Sequence, residues 1–321
     1  FDLVAMLGRR LAAPWRAGSL HLRVPGAHTA AGSVRSIRTD QALVRGVSLS
    51  WTKALSREQA PLSLQKAQEE HATYVEVLRR CVDTVVEIPA DPKLPDCCFI
   101  EDCAVSIGRT VLLTNPGAAS RRPEPPALSA PIRALPGAPR TLVSMLEMDS
   151  SATLDGGDVL HTERHVFVGL SSRTNAAGVE ALRAALAPEL PGGARSVFAI
   201  EVIGDLHLKS LATYAGNHQM AVDDSPGGRH LAQEVDRLTG VSGGYAWHVM
   251  STHAATNLLR VNDFLIMQEG VKRLPEIGKL LDAAHVRPEN AFEVPNQEFS
   301  KADGAVTCRS VLIQHLSHFR K

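Results

Sequence analysis

The fold is decided by residues 102–113, DCAVSIGRTVLL, and by a second copy of the same pattern at residues 158–170, DVLHTERHVFVGL. Each copy begins with an aspartate, continues as two short apolar runs around a polar turn, and is followed by a Ser-Arg pair. Residues 257–267, NLLRVNDFLIM, form a looser third copy. A self-similar unit of roughly 50 residues indicates a propeller-like or otherwise repeated architecture.

The segments between these copies alternate between helix and strand patterns. Residues 62–81 are rich in helix formers with one apolar face, and residues 84–88 (TVVEI) have the pattern of a short strand. Further helices are predicted at three places: residues 174–186, 230–238 and 274–284. The proline-rich residues 123–139 are interpreted as a surface connection within one α/β domain, because similar patterns lie on both sides.

Composition excludes several classes of partner. Lys+Arg and Asp+Glu are balanced at 34 each, so no global field attracts nucleic acid or an anionic membrane. No apolar run approaches the roughly 18 residues that span a bilayer. Five cysteines, an odd number, do not resemble the disulfide framework of a secreted protein, so an intracellular location is expected.

Residues 1–39 differ from the rest of the chain. No Asp or Glu occurs from Leu3 to Thr39, and six arginines do. This composition fits a mitochondrial targeting segment or an extension that takes no part in the fold. We therefore expect one catalytic domain over residues 40–321, in a protein of the cytoplasm or of the mitochondrion.

Two segments bring carboxylates close together in the sequence, and the first of them could bind a cation. Asp96, Glu101 and Asp102 lie close together in the apolar stretch LPDCCFIED, and a buried carboxylate needs a partner. That partner is a guanidinium-like ligand or a cationic side chain of the protein itself in an internal ion pair. In LDGGDV, Asp155 and Asp158 flank a glycine pair, which is an ordinary turn or a place of close backbone approach.

A thiol and an imidazole complete a set of groups that could perform nucleophilic catalysis. His207 stands between two leucines in a segment that has a strand-like pattern, and Cys308 lies between the turn Asp303-Gly304 and a strand at Ser310–Ile313. A Cys–His–acid arrangement activates a thiol as a nucleophile. The chain contains no phosphate-binding glycine-rich loop, no Gly-x-Ser-x-Gly elbow and no His-Glu-x-x-His helix.

In this order and spacing, the motifs resemble those of the dimethylarginine dimethylaminohydrolases, a family of the guanidino-group-modifying (amidinotransferase-like) superfamily. The matching pieces run from Leu94 to Ile313: LPDCCFIEDCAV, LLTNPGAASRRPE, TLDGGDVL, FVGLSSRTN, LHLKS and DGAVTCRSVLI. The resemblance implies a five-bladed α/β propeller, or pentein, built from ββαβ units. This fold agrees with the repeat.

The resemblance also implies roles for individual residues. Cys308 matches the nucleophile, His207 the general acid/base and Asp155 the acid that orients the histidine. The matching substrate contacts are Asp96, Glu101, Asp102, Arg121, Arg173, Leu55 and the backbone of Ala302. The acids would hold the guanidinium, and Arg121 and Arg173 would bind the α-carboxylate.

The implied reaction is hydrolysis of asymmetric dimethylarginine or monomethylarginine to citrulline and an amine through a covalent thiouronium on Cys308. It needs no metal or organic cofactor. The only expected partner is the small-molecule substrate, and the protein is expected to be a monomer or a homodimer. Inhibitory capture of Cys308 and His207 by zinc is a regulatory hypothesis. The alternatives are an arginine deiminase-type hydrolase and a non-catalytic relative that binds arginine derivatives.

Two positions bear on these alternatives. Related deiminases that act on free arginine usually carry His-x-Asp, and here Lys209 follows Leu208, which favours the methylarginine branch. Asp155 stands where some relatives use glutamate, and Arg309 follows the nucleophile.

Overall fold

The computed structural model describes residues 37–58, 60–137, 140–190, 196–240 and 244–314. Within these ranges the chain forms fifteen strands and nine α-helices. In chain order they are β1 (Thr39–Arg45), α1 (Leu64–Arg79), β2 (Thr84–Ile88), β3 (Ala104–Ile107), β4 (Thr110–Leu113), α2 (Ser129–Arg133), β5 (Thr141–Ser144), α3 (Met145–Met148), β6 (Val159–His161), β7 (Val166–Leu170), α4 (Ala176–Leu186), β8 (Val197–Glu201), α5 (Leu208–Leu211), β9 (Ala212–Gly216), β10 (Gln219–Asp223), α6 (Pro226–Thr239), β11 (Ala246–Met250), α7 (His253–Thr256), β12 (Leu259–Val261), β13 (Phe264–Gln268), α8 (Pro275–Ala283), β14 (Ala291–Val294), α9 (Gln297–Ser300) and β15 (Val311–Gln314).

The described strands form five three-stranded sheets, each one blade. In the blade β3-β4-β5, the first two strands are antiparallel across a tight turn, and the third runs parallel to the middle one after a helical connection. The blades β6-β7-β8, β9-β10-β11 and β12-β13-β14 repeat this ββαβ pattern. In the remaining blade β15 pairs antiparallel with β1, so the end of the chain closes the ring. The predicted five-bladed α/β propeller is confirmed.

The predicted helices and strands between the repeat copies are present with small shifts at their ends. On α1 the buried residues Ala67, His71, Tyr74, Val75 and Leu78 form the predicted apolar face. The described part of the proline-rich segment contains a 3-10 turn and the short helix α2, which together connect β4 to β5 inside one blade.

The polar residue near the start of each repeat copy fastens its blade to the next one. In four blades its side chain accepts a hydrogen bond from a backbone N–H at the start of the following blade. The pairs are Asp102 with Gly157 (2.9 Å), Asp158 with Leu208 (2.9 Å), Thr213 with Leu258 (3.1 Å) and Asn257 with Thr307 (3.0 Å). The acid that marks the repeat in the sequence therefore satisfies buried backbone donors between blades.

The predicted N-terminal extension lies outside the described residues over positions 1–36, and its targeting role stays a prediction. Strand β1 begins at Thr39, and the described residues form one compact unit. Among the described residues, every helix is too short or too polar to cross a lipid bilayer.

Candidate active site

A cavity of about 310 Å³ lies where turns from several blades meet, and it brings the predicted nucleophile and base together. Cys308, His207 and Glu101 all line it, although they lie far apart in the sequence. The volume is at the lower end of the range that holds a small ligand. This cavity is the candidate active site.

The nucleophile lies on a 3-10 turn, Thr307–Arg309, directly before β15. The backbone N–H of Ala305 donates to the Cys308 Sγ at 3.4 Å, so the sulfur is held over its own loop. Burial, together with the negative charges of Glu101 and Asp102, raises the pKa of Cys308 to about 12. In the empty site at neutral pH this residue is therefore a thiol.

His207 is held in the opposite protonation state. Its Nε2 lies 3.0 Å from Asp155 Oδ2, as predicted for an acid that orients the base. Burial disfavours the imidazolium, but the charges of Asp102, Asp155 and Asp158 outweigh burial and raise the pKa of His207 to about 9. The imidazole is therefore protonated at neutral pH and can act as a general acid.

The local structure around His207 differs from the expectation in one respect. The strand-like interpretation was wrong, because His207 is an extended residue immediately before the four-residue helix α5. Leu208 is buried at the start of this helix, and Leu206 is partly buried in the loop that precedes His207.

The glycine pair beside Asp155 is required by close contacts. A Cβ on Gly156 would lie 2.0 Å from the carbonyl oxygen of Glu101, and a Cβ on Gly157 would lie 2.8 Å from His207 Nδ1. Any larger residue would therefore push the imidazole or the acidic segment away. Close backbone approach, one of the two interpretations of this turn, is what the structure contains.

Two of the predicted substrate-binding acids have protein partners in this structure. Glu101 is buried, pairs with the ammonium of Lys209 and accepts a hydrogen bond from Thr307 Oγ1 at 2.9 Å. Burial raises its pKa. Asp102 is different: although burial opposes ionisation, Arg121 and His207 hold its pKa at about 2. Both arrangements place negative charge beside the sulfur.

Arg121 is buried and its donors are occupied. It donates to Asp102 Oδ2 at 2.5 Å, to the Glu124 carboxylate and to the carbonyl of Phe99. Neither Arg121 nor Arg173 lines the cavity. Arg173 is half-buried, and its charge acts to lower the pKa of Asp96. The proposed role of both arginines in carboxylate binding stays a prediction.

The remaining predicted contacts, Asp96, Leu55 and Ala302, are not among the residues that line the cavity. Asp96 is buried, and its Oδ1 accepts a hydrogen bond from the backbone N–H of Leu55 at 2.9 Å. The Leu55 side chain is 40% exposed. Ala302 is buried in the loop that precedes the nucleophile. Their contact with substrate stays a prediction.

Sequence reasoning missed several residues of the site. Thr307 and Asn257 line the cavity, and Asn257 fastens the nucleophile turn by accepting from Thr307 N and donating to Thr307 Oγ1. The place of Asn257 at the start of the third repeat copy was the available signal. Arg57, also in the cavity wall, donates from Nε to Asp303 at 3.0 Å, and no motif marked it.

A group of possible metal ligands occurs in the described residues, formed by Asp102, Asp155 and His207. Asp155 and His207 already pair with each other, and Asp102 pairs with Arg121, so these atoms have partners without an ion. Cys308 is not in this group. Zinc capture by Cys308 and His207 stays a hypothesis.

Comparisons with known proteins show the family to which the chain belongs. The model of the family described as arginine deiminase matches residues 89–263. The N(G),N(G)-dimethylarginine dimethylaminohydrolase of Streptomyces coelicolor is 33% identical over 252 residues, which cover 78% of this chain and 87% of the relative. The Pseudomonas aeruginosa protein of the same name is 28% identical over 247 residues, covering 77% and 88%. A solved structure of a cysteine-to-serine variant of the Pseudomonas enzyme with citrulline has a TM-score of 0.70 at 24% identity and covers 86% of this chain and all of its own.

A five-bladed α/β propeller with a Cys–His–Asp set at its cavity defines a hydrolase of the pentein superfamily. The structural likeness supports the fold, and the sequence matches support the family. The chain belongs to the arginine deiminase family and, within it, to the dimethylarginine dimethylaminohydrolases.

The two perturbed groups predict the pH dependence of activity. In the proposed reactive form of the protein, Cys308 is a thiolate and His207 is an imidazolium. The pKa of Cys308 is about 12 and that of His207 is about 9. Raising the pH towards 9 ionises more thiol while the imidazole keeps its proton. We expect kcat/KM to increase steeply between pH 6 and about 9 and then to level off. Initial rates across this range test the assignment, and a decrease between pH 7 and 9 would contradict it.

Proposed function

We propose that this protein hydrolyses Nω-methylated arginine to citrulline and methylamine or dimethylamine through a covalent thiouronium on Cys308. The observation that carries the proposal is the cavity itself, in which Cys308, protonated His207 and the carboxylate of Glu101 face a common space. A cationic planar carbon centre held by carboxylates next to a thiol is suited to attack by sulfur.

Substrate binding also supplies the charge that the nucleophile needs. In the empty site the ammonium of Lys209 neutralises Glu101, while Glu101 and Asp102 still disfavour ionisation of Cys308. A substrate guanidinium that binds against these acids adds a positive charge beside the sulfur. The pKa of Cys308 then decreases, and the thiolate forms next to the guanidinium carbon that it attacks.

The bonds made and broken are as follows. The Cys308 thiolate adds to the guanidinium carbon, and His207 gives its proton to the nitrogen of the departing amine as that carbon–nitrogen bond breaks. The S-alkylthiouronium remains on the protein. Neutral His207 then takes a proton from water, and the resulting hydroxide adds to the same carbon. The hydroxyl group of this adduct loses its proton to bulk water as the carbon–sulfur bond breaks, which releases citrulline and the thiolate.

Lys209 favours a methylated substrate over free arginine. Its ammonium, which pairs with Glu101 at the cavity wall, offers hydrogen-bond donors and no acceptor. An unmethylated guanidinium has more N–H groups to satisfy than a dimethylated one, so a lysine here leaves some of them without an acceptor. An aspartate at this position would satisfy them.

The test is a substrate panel. Asymmetric dimethylarginine, monomethylarginine, arginine and agmatine are incubated separately with the protein, and citrulline or carbamoylputrescine is measured. We expect citrulline from the two methylated substrates, and no more than about one hundredth of that rate from arginine, because unsatisfied donors cost several-fold to a hundredfold each. The Cys308→Ser protein, treated identically, is the blank.

The other outcomes distinguish the alternatives. Comparable turnover of arginine would move the protein to the deiminase type. Formation of carbamoylputrescine would show that no carboxylate is needed for binding and would remove the roles of Arg121 and Arg173. Absence of turnover with all four compounds, in a protein that binds dimethylarginine, would indicate a binding relative.

We further propose that the protein works inside the cell as a monomer or homodimer, in the cytoplasm or in the mitochondrion. All five cysteines lie in the described residues and are free thiols, which fits a reducing compartment. Balanced charge supports the absence of nucleic-acid or membrane partners. Fractionation of cells and sizing of the purified chain test these points.

A further inference from the structure

A fully buried arginine directly follows the nucleophile. The guanidinium of Arg309 lies between two aromatic rings, with its central carbon 4.4 Å from the centroid of Tyr74 and 4.0 Å from that of Phe299. Its exposed fraction is 0%. Stacking of this kind stabilises a guanidinium that has lost its water.

The hydrogen-bond partners of Arg309 are uncharged. It donates to the carbonyl of Pro295 at 3.1 Å, to Asn296 Oδ1 at 3.3 Å and to the carbonyl of Glu70 at 2.6 Å. Within the described residues its Nε has no hydrogen-bond partner. Burial lowers the pKa of Arg309 to about 10, so it remains charged at neutral pH. The acceptors do not cancel this charge.

These contacts also hold the loop that carries the nucleophile. Asn296 donates from Nδ2 to the carbonyl of Gly304 at 3.0 Å, and both residues line the cavity. On the other side, Tyr74 Oη and Ser310 Oγ lie 2.7 Å apart. Arg309 therefore ties the turn of Cys308 to α1 and to the loop between β14 and α9.

The charges around the sulfur show why a buried cation matters here. On the cavity side, Glu101 and Asp102 place negative charge near Cys308. The positive groups on that side are His207 and Lys209, and Lys209 is paired with Glu101. Behind the sulfur, Cys308 packs on the apolar cluster that contains Phe299 and Cys98. The groups facing Arg309 there are His71 and Tyr74, both neutral at pH 7, the carboxylate of Glu70, and the thiols of Cys98 and Cys308.

We propose that Arg309 is a positioning residue for the nucleophile, and that its buried charge stabilises the Cys308 thiolate from behind. The inference rests on the proposed role of Cys308. It assigns to Arg309 a stabilisation of the thiolate that the carboxylates of Glu101 and Asp102, on the cavity side, oppose. A carbonyl-bound guanidinium in a ring stack keeps most of its field, since no water and no directly bonded carboxylate screens it.

The test measures thiol reactivity without substrate. Alkylation of Cys308 by iodoacetamide at pH 7.5 is followed by mass spectrometry in the wild type and in the variants Arg309→Gln, Arg309→Lys and Glu70→Gln. We expect alkylation to be about tenfold slower in R309Q and within about threefold of wild type in R309K, because reactivity follows the thiolate fraction. E70Q should react about two- to threefold faster, because it removes a negative charge near Arg309. In turnover assays, R309Q should lower kcat and leave KM within about twofold.

The control is Arg45→Gln. Arg45 is also buried and donates to the backbone carbonyls of Pro89 and Glu124, but it does not line the cavity. R45Q should lose stability comparable to R309Q and keep the wild-type alkylation rate. This pattern separates an electrostatic effect on Cys308 from general destabilisation.

Two results would overturn the proposal. One is an R309Q protein that folds and is alkylated at the wild-type rate. If R309Q does not fold, E70Q decides, and an unchanged or slower rate there removes the electrostatic role. The assay needs no turnover, so a failure of the proposed function would appear separately, as an absence of citrulline in a protein whose alkylation still follows these charges.

Discussion

Replacing Cys308 with serine is expected to lower citrulline formation by about 10⁴-fold or more, the scale seen when a nucleophile is removed from a preorganised site. A hydroxyl is a far weaker acid than a thiol, and binding of one cation cannot ionise it. The fold should survive, because the Cys308 side chain is only partly buried and serine is of similar size. Measurement of citrulline formed from dimethylarginine checks the loss of activity. Measurement of dimethylarginine affinity by calorimetry checks that the fold survives.

A second readout identifies the intermediate. Acid quenching of the wild type during turnover should trap an adduct that maps to the peptide of Cys308, and the serine variant should show none. The matched control is Cys81→Ser, two residues beyond the end of α1, where the thiol donates to the carbonyl of Val77 and a serine can do the same. C81S should keep wild-type turnover. Citrulline formation by C308S at even a tenth of the wild-type rate would exclude Cys308 as the nucleophile.

Replacing His207 with asparagine is expected to lower turnover of dimethylarginine by about 10³- to 10⁴-fold, near the upper end of what general acid–base catalysis contributes. In the proposed mechanism the imidazolium, which is present at neutral pH, donates its proton to the leaving amine, and the neutral imidazole then takes a proton from water. Asparagine does neither. Initial rates of citrulline formation at pH 8 measure this loss.

A substrate with a different leaving group separates the two tasks of His207. S-methylthiocitrulline releases methanethiolate, which leaves without being protonated, so H207N should still form the covalent adduct on Cys308. Hydrolysis of that adduct needs a base, and the adduct should therefore accumulate in intact-mass spectra. The control is His248→Asn, at a histidine that bonds to Gln219 and does not line the cavity. Rapid turnover of the adduct by H207N would show that another group activates water.

The repeated architecture could be predicted because the same sequence pattern recurs along the chain. Each copy starts with a residue such as Asp102 or Asp158 and alternates between short strands and helices, and a unit of this kind buries its apolar face only against its neighbours. The number of blades came from the family resemblance. The role of the repeated acid in accepting a backbone N–H of the next blade was not predictable, because its partner lies about one repeat away.

The site could be predicted only in part. Cys308, His207 and Asp155 could be named from their motifs, and the structure places His207 against Asp155 and beside the cavity of the nucleophile. The prediction of a strand at LHLKS was wrong, because the pattern of five residues cannot distinguish a strand from the first turn of a helix. Thr307 carried no signal of its own, because its contact with Glu101 joins residues from distant parts of the chain.

The sequence by itself determined the kind of blade and the family, and it predicted the reactive groups, because these depend on local periodicity and on side-chain chemistry. The tertiary structure alone decided which charges meet. It pairs Arg121 with Asp102 and Glu124, Lys209 with Glu101, and Arg309 with two aromatic rings. A buried charge takes its pKa and its availability to a ligand from neighbours that are distant in the chain, and only the closed ring of blades brings those neighbours together.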